Sequence, residues 1–130
     1  MFKTLTLKSK SRIEFIDITD DIQQAISESG IKDGICYIYV PHTTAGITIN
    51  EGADPSVKRD IITMLNKLIP FEGDYQHREG NSAAHIKSTI VGVSLFVIIA
   101  DGKPQLGTWQ SIYFCEFDGP RHRRIIVRII

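Results

Sequence analysis

Ile35-Cys36-Tyr37-Ile38-Tyr39-Val40 is the stretch whose reading decides the fold. It is apolar on both faces, which predicts a central strand or one covered by a partner. Val93–Ala100 is a second fully apolar run and reads the same way. Two such strands in a chain of 130 residues leave apolar faces that something must cover, which points to oligomerisation.

Working outward, the N-terminal residues Phe2–Lys8 and Arg12–Asp17 read as two strands, the first alternating apolar and polar residues from Met1 onward. A helix over about Asp20–Ser29 follows, with Thr19 or Asp17 placed to cap it and Gly30 to end it. If His42–Asn50 is extended, Ile47 and Ile49 point one way, and His42, Thr44, Thr48 and Asn50 point the other. Gly46 on that polar side would let a ligand or a neighbouring backbone approach closely. Asp54-Pro55 is a helix start, and Val57, Ile61, Met64, Leu65 and Leu68 form an apolar stripe that predicts a core helix.

Pro70–Gly80 is a loop rich in Gly, Asp and Glu. Asn81 or Ser82 can then cap a short helix that carries His85 at its start and turns Ile86 and Ile90 inward. Asp101-Gly102-Lys103-Pro104 and Asp118-Gly119-Pro120 are turns, and Trp109–Phe117 and Arg123–Ile130 are the last strands. About seven strands with about three helices make a single-domain α+β fold, residues 1–130, with a large mixed sheet.

Apolar residues are 42% and charged residues 23% of the chain, and the formal net charge is +0. A general nucleic-acid binder is thereby disfavoured, since that affinity rests on surplus Lys and Arg. Arg121-His122-Arg123-Arg124 is the only basic cluster and reads first as a solvated strand edge, with anion binding as the alternative. No apolar stretch reaches membrane-spanning length, and the N-terminus reads as strand, not signal peptide. Cys36 and Cys115 lie far apart in apolar runs, as buried free thiols of a reducing cytoplasm would.

Two polar blocks have no obvious folding duty: His42-Thr43-Thr44-Ala45-Gly46, running on to Asn50-Glu51, and His77-Arg78-Glu79-Gly80-Asn81-Ser82-Ala83-Ala84-His85. Three neutral imidazoles are a donor set for a transition metal with an open position, although a hydrogen-bonded histidine is the plainer reading of each. His77 and His85 are eight apart, so they cannot be neighbours on one continuous helix, but a loop can fold His77 back over the helix start. Glu51 has no structural duty and is the better candidate base; Asp54 is first a helix cap. Thr43, Thr44, Asn81, Ser82 and Arg121 are the residue types that bind phosphate. Gly107-Thr108-Trp109-Gln110 either lines a pocket or, more plainly, lets Trp109 open a buried strand. There is no P-loop, dinucleotide fingerprint or nucleophile elbow.

These blocks, together with Asp54-Pro55, Leu106-Gly107-Thr108-Trp109-Gln110 and Asp118-Gly119-Pro120-Arg121, resemble in order the signature of the YjbQ family over nearly the whole chain. The resemblance implies a barrel-like mixed sheet, a homotrimer and a divalent metal held by histidines, zinc before magnesium. It places His42, His77 and His85 as metal ligands. Glu51, Asp54, Asn81, Trp109, Gln110 and Arg121 fall on its other motif positions, and His122 on none, as a surface residue. The implied activity is that of a secondary thiamine-phosphate synthase, joining hydroxymethylpyrimidine diphosphate to thiazole phosphate. Two alternatives stand beside it: a zinc-dependent hydrolase of another phosphorylated or acyl substrate with Glu51 as base, and a non-catalytic trimeric metabolite- or metal-binding module.

Overall fold

A computed structural model describes all residues, 1–130. Its elements are β1 (Phe2–Lys8), β2 (Glu14–Asp17), α1 (Thr19–Ser29), β3 (Gly34–Tyr39), β4 (Ala45–Glu51), α2 (Pro55–Leu68), α3 (Ser82–Val91), β5 (Ser94–Ala100), β6 (Lys103–Pro104), β7 (Gln110–Glu116) and β8 (His122–Ile129). The α+β domain with curled sheets and three helices is therefore observed, with eight strands. The strands divide into two sheets, β1-β8-β3-β5-β6 and β2-β7-β4. Every ladder is antiparallel, so the α+β domain stands while the expected large mixed sheet is corrected to two antiparallel ones.

The two-faced strand β3 is central in the larger sheet, as its composition predicts. Its inner face carries Cys36 and Ile38 into a core that also holds Val97 and Ile99 of β5, Ile125, Val127 and Ile129 of β8, Ile22, Ala25 and Ile26 of α1, and Ile112 and Phe114 of β7. Its outer face is open: Tyr37 and Tyr39 stand exposed beside Phe96 and Ile98 of β5. The strand buried on both faces is instead β7. Its alternate residues Tyr113 and Cys115 enter a second core with Phe15, Ala84 and Phe117, against which Ile61, Ile62 and Leu65 of α2 pack. The layers thus run from larger sheet to first core, which α1 also closes, to smaller sheet to second core to α2 and α3. Both cysteines are buried free thiols, and burial pushes Cys36 up to about 11.

Local signals held where the partner is local. Gly30 ends α1 in the left-handed conformation, at φ 71. Asp54 starts α2 and accepts from the Ser56 hydroxyl and amide, which together hold its carboxyl below the usual range. Other expectations are corrected. The N-cap of α1 is Ile18 without a side-chain bond, while Asp17 accepts from the Thr19 amide and hydroxyl. Met64 and Leu68 of the α2 stripe are exposed, so only part of that stripe is core. Ile86 and Ile90 of α3 also face outward, and Ala83, Ala84, Lys87 and Ser88 face in. Small residues let α3 lie close to β4: Ser88 Oγ donates to the Ala45 carbonyl at 2.6 Å, and a Cβ on Gly46 would meet the Gly92 carbonyl oxygen at 2.7 Å. Gly46 therefore admits a neighbouring backbone, one of the two options its position offered. Trp109 lies before β7 and is 64% exposed, not the opening of a buried strand.

Candidate functional site

His42 follows β3, where Pro41 in the Val40–Thr44 link ends the ladder. Its Nε2 accepts a hydrogen bond from the Arg124 amide at 3.1 Å. Burial, then the positive charge of Arg123, holds its pKa below the ordinary histidine value. His85 sits in the first turn of α3, and His77 reaches it from the preceding loop. Their rings meet edge to face, centroids 5.4 Å apart. This is the folding-back that their sequence separation allows. The loop is anchored by Phe71, whose ring lies between the Arg12 guanidinium, 4.0 Å from its centroid, and the Lys87 ammonium, at 4.5 Å. Lys87 is wholly buried, donates to Asn66 Oδ1 at 2.6 Å, and has its pKa lowered by burial and then by Arg12.

The three histidines line one cleft of about 480 Å³ together with Thr43, Thr44, Glu79, Asn81, Arg121 and Arg123, and no apolar side chain except Pro41 faces it. Two networks hold its wall, the first buried and the second partly open to solvent. In the first, Arg123 Nε donates to Glu116 Oε1 at 2.9 Å, and its terminal nitrogen donates to Glu116 and, at 2.9 Å, to Thr44 Oγ1. Ser9 Oγ completes the Glu116 shell. Burial opposes the Glu116 charge, but bonds from Arg123, Ser9 and the Asp118 amide keep its pKa below the ordinary value. In the second, Asp118 Oδ2 accepts from Asn81 Nδ2 at 2.9 Å and from Arg121 at 2.7 Å. Burial again opposes ionisation, and these two bonds outweigh it.

The basic cluster is thus divided by strand alternation. Arg121, His122 and Arg124 are exposed, whereas Arg123 points inward and is neutralised by Glu116. Reading all of it as solvated edge is corrected for Arg123. Thr44 is likewise buried, and Asn81 is not a side-chain cap of α3. Sequence reasoning missed Glu79, Glu116, Asp118 and Arg123. Glu79 lay inside the second polar block; the other three are recognisable only once the turn between β7 and β8 carries the chain from one sheet to the other.

Glu51, Asp54, Trp109 and Gln110 are not brought to this cleft. Glu51 ends β4 and accepts from the Ala53 amide, and Gln110 accepts from the Gly107 amide. β4 runs from Ala45 to Glu51, which separates them from the histidine end by roughly 20 Å. Ser82 lines a neighbouring cleft with Asp74, Tyr75, His77 and His85.

Three imidazoles fit zinc in kind better than magnesium. Asn81 Oδ1 adds a buried acceptor with no partner. His77 and His85 are adjacent, and Glu79 Oε2 lies 3.9 Å from His77 Nε2. No three donors converge at metal-binding distances as the chain stands. A neutral imidazole has one lone-pair nitrogen, so a cation taken by His42 competes with the Arg124 amide for it.

Comparison with known proteins gives a consistent result. Residues 3–130 match the family model described as UPF0047 protein YjbQ-like. A UPF0047 protein of Methanocaldococcus jannaschii is 64% identical, over 95% of this chain and 90% of its own length. UPF0047 protein YugU of Bacillus subtilis is 51% identical over 100% and 99%. The crystal structure of a YjbQ/UPF0047 family protein from Clostridium acetobutylicum superposes with a TM-score of 0.97 at 55% identity, covering 98% of this chain and 99% of that one.

Proposed function

This chain belongs to the YjbQ family, and from that premise we propose that its histidine cleft is the site of a metal-dependent enzyme acting on phosphorylated small molecules. The activity proposed is that of a secondary thiamine-phosphate synthase: hydroxymethylpyrimidine diphosphate is joined to thiazole phosphate, and diphosphate leaves. The observation that carries the reading is the meeting of His42, His77, His85, Thr43 and Arg121 on one cleft without a large apolar side chain. His77 and His85, with His42, would hold the cation, zinc before magnesium. Such a cation supplies charge neutralisation for the departing diphosphate. Arg121, oriented by Asp118, meets a phosphate oxygen, and Thr43 offers a hydroxyl beside it. Little covalent work is left for the protein beyond positioning and electrostatics.

A second reading, hydrolysis of another phosphorylated or acyl substrate, is favoured by one feature: Glu79, a carboxylate on the cleft beside His77. In that reading Glu79 replaces Glu51 as the base, since Glu51 is at the far end of β4. The homotrimer is part of the proposal and is supported by the open outer face of the larger sheet, with Tyr37, Phe96 and Ile98. No helix is long and apolar enough to cross a membrane. The buried free thiols support a cytoplasmic setting.

Purified protein is given both thiamine precursors with and without chelator, beside His77→Ala and His85→Ala variants. Synthesis lost on chelation and in both variants supports the proposal. Synthesis equally fast in all of them removes the metal, and metal-dependent hydrolysis without synthesis favours the second reading. Folded protein without turnover of any phosphorylated compound leaves a binding module.

A further inference from the structure

The polar cleft does not end at the histidines. His42, Thr43 and His85 also line a second cleft of about 490 Å³, which continues on their other side. Its remaining wall is Tyr39, Val40, Ser88, Thr89, Gly92 and Val93. The two clefts share three residues and differ in chemistry. The first carries Arg121 and Arg123 and nothing large and apolar. The second carries an aromatic ring and two valines, and no charged side chain apart from the shared imidazoles. Gly92 borders the second cleft at φ +95, and a Cβ there would meet nothing within 4 Å, so this part of the wall is open. Ser88 spends its hydroxyl on the Ala45 carbonyl and Thr89 on the His85 carbonyl at 2.9 Å. The surface they present is accordingly less polar than their residue types suggest.

Small-molecule sites of a few hundred cubic ångströms pair an apolar wall with a few placed polar groups, and these joined clefts have that character. We infer that the Tyr39–Val93 cleft is a subsite for the uncharged, ring-bearing part of a substrate whose anionic group lies in the arginine cleft. The bond joining the two parts then crosses His42 and His85. The inference rests on the phosphate-binding reading above and adds to it the shape of the ligand and the residues that select it. The third cleft, beyond His77, is the weaker choice for the ring. It shares only His77 and His85 with the arginine cleft, and neither His42 nor Thr43 reaches it.

The test compares inorganic phosphate, benzyl phosphate and benzyl alcohol on the full chain, wild type against Thr89→Trp and Thr89→Ala. Thr89 is exposed on α3, so the indole fills the cleft without entering the core. Benzyl phosphate is expected to bind wild type and Thr89→Ala about tenfold more tightly than inorganic phosphate. That advantage is lost in Thr89→Trp while inorganic phosphate binds all three proteins alike. In protein-observed NMR, benzyl alcohol should shift the signals of Tyr39 and Val93. If phosphate binds nowhere but benzyl alcohol still marks those residues, the anion reading falls and the subsite stands. Equal affinity of benzyl phosphate and phosphate for wild type, an advantage that survives Thr89→Trp, or a ring contact at Tyr75 and Ile86 instead, overturns the inference.

Discussion

Replacing Glu116 by leucine should destabilise the protein by about 3–5 kcal/mol, because it leaves a guanidinium buried without a counter-charge. The magnitude follows from the surroundings of the pair. The Arg123 side chain is 4% exposed and that of Glu116 is 0% exposed. Their charge centres lie roughly 4 Å apart, and at an effective dielectric constant near 20 their attraction is about 4 kcal/mol. Intact, that attraction is largely offset by the several kcal/mol needed to dehydrate each ion. Once Glu116 is gone, the Arg123 dehydration remains and only the two Thr44 oxygens answer it. Against the 5–15 kcal/mol typical of whole-domain stability this is a large fraction, equivalent to a Tm lower by on the order of 10–15 °C. The measurement is urea unfolding at pH 7 and fixed protein concentration for wild type, Glu116→Leu, and Glu116→Leu with Arg123→Met. The double variant removes both charges and should recover most of the loss. A single variant that costs under about 1 kcal/mol, or a double variant no more stable than the single, would refute the reasoning.

Two further outcomes are expected. Stability should fall on acidification in two steps, read from urea midpoints against pH. His42 has a lowered folded pKa, so the unfolded chain takes its proton first and stability drops as pH falls below about 6.5, a step that His42→Gln should remove. Glu116 and Asp118, also lowered, contribute stability above the unfolded carboxylate range near pH 4, lost as pH falls through their folded values. Phe71→Ala removes the ring between Arg12 and Lys87 and should cost about 1–2 kcal/mol. Amide exchange should then accelerate in residues 70–80 but not in β7, and uniform acceleration in both would exclude Phe71 as the anchor of that loop.

Much of the fold was legible because its signals are local. Asp54-Pro55 and Gly30 act through their own backbone, and the alternation in Phe2–Lys8 and β4 is set by the pleat itself. Ile47 and Ile49 do face the first core, as their phase implies. The misjudged positions depend on what lies across a gap. Ile86 and Ile90 look like core residues until Ala83, Ala84 and Ser88 turn out to be the face that fits against β4. Asn81 looks like a cap until Asp118, from another turn, takes its amide.

The candidate site divides on the same principle. Residue chemistry alone picked out His42, His77 and His85, and the fold gathers them on one cleft because a loop anchored by Phe71 lays His77 against α3. By itself, then, the sequence determined strand and helix periods, the main breaks between elements and the inventory of polar groups, since each is written in neighbouring residues. Only the tertiary structure decided that Arg123 is buried against Glu116 while its neighbours are solvated. It alone also separated Glu51 and Trp109 from the histidines by the length of a strand. The Arg123–Glu116 contact joins strands of two different sheets, and the distance between strand ends is set by how those sheets close; neither leaves a local periodicity to read.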